Sequence, residues 1–166
     1  ATGVYRAPPS APAGFQARGG RSLTPSLVRN VGVAVSWQRP GQSPVALDPG
    51  ARVPADAEYA FRYTNLEVGA PAYLMIYAID AAHEIHWFYP AWTGPTTDPQ
   101  SIRLDPGVRD RLLPEIVAPD GVARGPMRIV AWPTRQPESV RAVEARGGEP
   151  PPNEPTPQVI EVEVVP

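Results

Sequence analysis

The sequence predicts an all-β fold: an antiparallel β-sandwich of about seven or eight strands, with one short helix and Pro-rich extended arms. Three observations predict it. Large apolar residues recur at every second position in Val31–Gln38 and in Glu58–Asn65, the period of a strand with one buried face. The apolar run at 73–79, closed by Asp80, is followed by Ala81-Ala82-His83-Glu84 and then Ile85-His86-Trp87-Phe88-Tyr89-Pro90, a β-hairpin in sequence form. Proline and glycine number 24 and 14 in 166 residues, near the ~25–30% at which disorder becomes the default reading, so their location decides how much of the chain folds.

That location divides the chain into an N-terminal Pro/Gly-rich arm at 1–27, a sandwich domain at 28–147 and a Pro-rich linker with a terminal strand at 148–166. In the arm, prolines 8, 9 and 12 favour extended polyproline geometry, and Phe15 is the exception, an aromatic suited to an apolar groove or a short edge strand. In the first strand Val31, Val33, Val35 and Trp37 should face the core. Arg39-Pro40-Gly41-Gln42 supplies a turn, 45–47 returns as a short strand, and Asp48-Pro49-Gly50 stops it. The next strand turns Tyr59, Phe61 and Tyr63 inward and Glu58, Arg62 and Thr64 outward. Residues 73–79 are apolar on both faces, as in a central strand covered on each side, and 85–89 pairs back against them.

Farther on, 95–105 reads as a long loop and 108–113 as the place for a helical turn or two before Pro114. A strand follows at 127–132, and 137–146 fits either a short helix or an edge strand. After the proline-rich 149–157, residues 159–165 alternate valine and isoleucine with glutamate as a last strand. It either closes an edge of the same sheet or stays open to pair with another molecule.

Composition excludes several functions. A net charge of −2 and a pI of 5.7 provide no field to attract phosphate backbones, so nucleic acid is not an expected partner. All 15 basic residues are arginine, which no fold requires. Cysteine is absent, which removes disulfides, thiolate zinc sites and a cysteine nucleophile. No apolar run approaches the ~18 residues of a membrane span. The chain begins at Ala1 without an initiator methionine, which points to a part of something longer.

Candidate chemistry concentrates in the hairpin. His83, Glu84 and His86 are residue types that bind zinc, iron or nickel, but side chains alternate along a strand, so the two histidines should point to opposite sides and no metal is expected. Asp80 and Glu84 flank the turn as a carboxylate pair, with Asp80 expected to cap the local backbone. No G-x-S-x-G elbow and no phosphate-binding glycine loop is present, and neither catalytic residues nor a cofactor are expected. Trp87, Tyr89 and Trp92, with Phe88 and Tyr77, form an aromatic surface able to stack a sugar ring or anchor a peptide. The subset expected to face outward is His86, Phe88 and Trp92.

The segment Ala72-Tyr73-Leu74-Met75-Ile76-Tyr77-Ala78-Ile79-Asp80, a short turn, and Ile85-His86-Trp87-Phe88-Tyr89-Pro90-Ala91-Trp92 resemble an uncharacterised bacterial β-domain family of cell-envelope proteins. Leu112-Leu113-Pro114-Glu115, the strand at 127–132 and the segment 136–145 extend the resemblance over about 28–146. In proteobacteria, notably myxobacteria, such domains stand outside the membrane behind a Pro-rich linker and a single transmembrane helix, sometimes beside an anti-sigma zinc finger. The Pro-rich 7–14 matches that linker, whereas His83 replaces the glycine usual in the turn and no zinc finger is present. The resemblance implies a periplasmic or extracytoplasmic address, tethered in a longer precursor, and a non-enzymatic role as a sensor or interaction module. Its partners would be envelope or membrane-associated proteins, bound through the arms, the sheet edges and the terminal strand. The alternative is a carbohydrate- or peptidoglycan-binding module using Trp87, Phe88 and Trp92.

Overall fold

The computed structural model describes residues 30–92, 94–152 and 155–166. In chain order the strands are β1 (Val31–Gln38), β2 (Val45–Ala46), β3 (Arg52–Pro54), β4 (Glu58–Asn65), β5 (Ala72–Ile79), β6 (Ile85–Tyr89), β7 (Ile102–Leu104), β8 (Val108–Leu112) and β9 (Gly125–Thr134). Helix α1 (Val140–Ala145) and strand β10 (Gln158–Val165) complete the described elements. One sheet has the order β2-β1-β4-β8. The other runs β3-β10-β9-β5-β6, with β7 pairing the first half of β5 beyond the reach of β6. The two sheets enclose a core between them, the sandwich expected of an all-β chain.

Two-residue alternation sets which side chains enter that core. Val31, Val33 and Val35 are buried, Trp37 packs half-buried beside them, and β4 opposes them with Tyr63 across from Val33 and Phe61 across from Val35. Leu74, Ile76, Ala78 and Phe88 line the facing sheet together with Met127, Ile129, Ile160 and Val162. Aromatic rings hold the centre, with Phe88 edge-on to Tyr59 at 5.4 Å and tilted against Phe61 at 5.0 Å.

β5 is covered on both faces, as its unbroken apolar run requires. Its second face, Met75, Tyr77 and Ile79, joins Val130 and Trp132 beneath Val140 and Val143 of α1. The segment 137–146, ambiguous by periodicity, becomes this helix because Ser139 caps it, its Oγ accepting from the Ala142 N–H at 3.2 Å. The chain then turns back at Gly147 and Gly148. Gly148 has φ +82° and lies so close to the sheet that a Cβ there would sit 2.8 Å from Ile79 Cδ1.

Four expectations are corrected. Residues 108–113 form β8 and not a helical turn: β4 offers an open edge for its backbone, and Val108-Arg109-Asp110-Arg111-Leu112 has no apolar stripe for a helix to bury. The segment 95–105 contains β7, and β3 was not anticipated, so the described strands number ten. The terminal strand is neither free nor an edge. β10 lies between β9 and β3, buries Ile160, Val162 and Val164, and belongs to the sandwich, not to a separate tail after 147. Its pairing with β3 is parallel, which makes that sheet mixed. The arm at 1–27, with Phe15, lies outside the described residues.

One polar side chain ties the sheets together. Gln158 at the start of β10 is buried, and its amide accepts from the Val33 N–H at 3.1 Å and donates to the Val33 carbonyl at 2.6 Å. It therefore occupies the side of β1 that β2 is too short to reach, in the manner of a neighbouring strand.

Candidate functional site: the edge and cleft along β6

The β5–β6 hairpin is built on Asp80. Its side chain is fully buried, and both oxygens are saturated: Oδ1 accepts from the N–H groups of Ala82 at 2.9 Å and Glu84 at 3.0 Å. Oδ2 accepts from the Ala123 N–H at 2.9 Å and from His86 Nε2 at 2.8 Å. Burial alone pushes this carboxyl up, but the hydrogen bonds from Ala123, His86, Glu84 and Ala82 together outweigh it and hold the pKa down at about 2. Asp80 thus caps the turn, as its position implied, and also anchors the distant 121–124 segment. An ionised carboxylate only accepts, so the His86 Nε2 proton points at Asp80, and the ring is fixed with its Nδ1 away from that bond.

The candidate metal ligands separate along these lines. His83 sits at the hairpin tip with φ 62°, exposed, and lines a hollow of about 420 Å³ with Arg128 and Glu161. His86 instead meets Asp80 and lines a separate cleft with Trp87 and Trp92. The group that does converge is Asp80, Glu84 and His86, whose ligand atoms lie within 4.8 Å of one another. Asp80 already accepts four hydrogen bonds there, so an ion could take it only by dismantling the hairpin cap.

His86, Trp87 and Trp92 come together in a cleft of about 260 Å³ whose opposite wall is Val117, Ala118, Pro119 and Asp120. Its tryptophans are held in place. Trp87 donates to Glu144 Oε1 at 3.0 Å and packs tilted against Tyr77 with ring centroids 5.0 Å apart, and Trp92 donates to the Thr97 carbonyl at 3.1 Å. The far wall is pinned by Asp80 through Ala123 and by a backbone exchange between Val117 and Tyr59. Tyr89 braces the same segment, its hydroxyl donating to the Glu115 carbonyl at 3.0 Å and accepting the Glu115 N–H at 3.1 Å. Phe88 is not part of this surface. It was expected outside, but it is 0% exposed and fills the core, because a strand that places Trp87 on the outer face must place Phe88 on the inner one.

The cleft follows a free sheet edge. Asp80 N–H donates to the Glu84 carbonyl, which makes that facing pair hydrogen-bonded. By alternation the N–H and C=O groups of Ile85 and Trp87 then point away from β5, toward the cleft. The other edges among the described residues are blunted. β2 has two residues, β3 is three residues ending at Pro54, β7 is three residues with Arg103 at its centre, and β8 carries Arg109, Asp110 and Arg111 in succession. Ile85-His86-Trp87-Phe88-Tyr89 carries no arginine, aspartate or proline, and its one irregularity is a bulge at the Phe88 end, where Ile76 faces Tyr89 and Tyr77 faces Trp87, beyond the open groups of Ile85 and Trp87.

Sequence reasoning found His86, Trp87 and Trp92 by their crowding in the hairpin. It missed the Val117–Asp120 wall and the second role of Asp80, since neither Ala123 nor Pro119 carries a local signal. The cleft lining offers no hydroxyl, thiol or amine nucleophile beside the Asp80–His86 pair. Among protein-family models, curated proteins and solved structures, none matches this chain.

Proposed function

We propose that this chain is a non-catalytic interaction module of the cell envelope that binds protein partners through a sheet edge, and that β6 is that edge. What carries the reading is the contrast among the described edge strands: β6 leaves the backbone groups of Ile85 and Trp87 open with no formal charge or proline within the strand to deter pairing. The fixed tryptophans and the pinned wall add a surface that needs little ordering on binding. The envelope address follows from the hairpin resemblance.

The test places a photo-crosslinking residue at position 85 or, as a control, at 109 on the charged edge, and exposes each to native envelope proteins. Adducts formed from 85 and not from 109, and lost when Trp87, the other residue with an outward N–H, is changed to proline but kept in Trp87→Phe, support edge binding. Equal labelling from both positions rejects it. The alternative reading, a glycan-binding module, keeps Trp87 and Trp92 in the cleft and loses Phe88. Quenching of tryptophan fluorescence by envelope glycans, with no protein adduct from position 85, would put it first.

A further inference from the structure

We infer that the β6 cleft selects an extended peptide in which a basic side chain alternates with an apolar one. This rests on the reading of β6 as the binding edge and specifies what that edge takes.

A strand added to β6 alternates its own side chains between the two faces of the sheet. One set meets the outer face, where Ile85, Trp87 and Trp92 present apolar and aromatic surface. The other set meets the inner side, where His86 faces Val117, Ala118, Pro119 and Asp120. These two walls differ in charge as well as polarity. Asp120 is the sole formal charge in the lining, Glu84 immediately precedes Ile85, and both are exposed. No arginine lines the cleft. A peptide with arginine or lysine toward Asp120 and Glu84 and an aliphatic residue toward the tryptophans matches both walls, whereas an acidic residue in the first position meets like charge. The spacing is fixed by the ladder: Ile85 and Trp87 are two residues apart, so one peptide residue in two donates and accepts along the edge while the next does not.

The test uses the full chain and terminally blocked hexapeptides, followed by intrinsic tryptophan fluorescence and calorimetry. A peptide of alternating valine and arginine should bind about tenfold tighter than one of alternating valine and glutamate, and the advantage should shrink with added salt. The double variant Glu84→Gln with Asp120→Asn should narrow the preference several-fold. N-methylation of one alternate set of peptide amides should abolish binding, while methylation of the other set should leave it intact, a pattern that a surface held only by side chains would not give.

The outcomes separate the two levels. If valine–arginine and valine–glutamate peptides bind equally, with the methylation asymmetry preserved, the edge reading stands and the charge selection is overturned. If both methylated peptides bind as well as the parent, or if no peptide binds while an N-acetylglucosamine oligosaccharide quenches the tryptophans, the edge reading falls and takes the inference with it.

Discussion

Replacing Asp80 by asparagine removes the charge at the centre of the hairpin while keeping its shape, and the structure fixes what should follow. Asparagine keeps an oxygen for the N–H groups of Ala82 and Glu84, but an NH₂ group replaces the oxygen that accepts from Ala123. His86 can adapt by changing tautomer; the Ala123 N–H cannot, and a buried donor without a partner costs ~1–3 kcal/mol. The charge adds a pH-dependent part. A carboxyl held at about 2 in the fold against an ordinary 3.8 stabilises the folded chain by about 2 kcal/mol where it is ionised in both states. Because the folded value is the depressed one, this stabilisation is complete above the unfolded pKa and is lost as the pH falls from about 5 toward 2. Asp80→Asn should therefore cost about 3–5 kcal/mol at pH 7 and only about 1–3 kcal/mol near pH 2. Urea unfolding of both proteins at a series of pH values between 7 and 2.5 measures the gap. A gap that stays constant across that range would refute the assignment of Asp80 as a buried, ionised cap.

Substitutions at three further positions probe the supports of the fold and of the site. Gly148→Ala places a methyl against Ile79 at a φ of +82°, and thermal unfolding should show a loss of about 1–3 kcal/mol. Tyr89→Phe removes both hydrogen bonds to Glu115; it should cost about 1–3 kcal/mol and speed amide exchange at 115–120, and unchanged exchange there would show that the hydroxyl does not brace the cleft wall. Gln158→Leu leaves the Val33 N–H and carbonyl without their inter-sheet partner and should lower stability by about 1–3 kcal/mol, whereas Gln158→Glu, which sets a carboxylate against the Val33 carbonyl, should be worse in equilibrium denaturation at pH 7.

What the sequence revealed and what it hid follow from the range of the forces involved. Alternation in β1 and β4 and the doubly buried run of β5 are local signals, because each strand's own side chains report how many of its faces leave water. β8 gave no such signal. Its residues are mostly exposed, and it is a strand only because β4 supplies hydrogen-bond partners more than forty residues away, as in the pairing of Arg62 with Leu112. β10 was legible as a strand but not in its place, since alternation says which side chains are inward and nothing about the neighbours. In the site, period two sets His86 and Phe88 on one face and Trp87 on the other, but does not say which face the second sheet covers, so the face expected outward is the one that enters the core. The Asp80–Ala123 bond spans 43 residues and ends on a backbone amide, so no pattern of side chains could announce it.

The size of the β6 edge bounds how it can function. Ile85 and Trp87 offer four outward backbone groups, and hydrogen bonds of this kind contribute ~0.5–1.5 kcal/mol each, so the ladder supplies on the order of 2–6 kcal/mol. Covering the half-buried tryptophans adds to this, but association costs at least ~4 kcal/mol in lost motional freedom. On the proposed reading a single short strand would therefore bind weakly at this edge, even with its tryptophans already fixed by Glu144 and Thr97. Such an edge is effective when its partner is tethered nearby, because a local concentration in the millimolar range offsets a weak intrinsic affinity without any new contact. On the proposed reading, weakness of this kind also accounts for an edge lacking formal charge and proline: free strands in dilute solution would not hold it, while a partner confined to the same surface would.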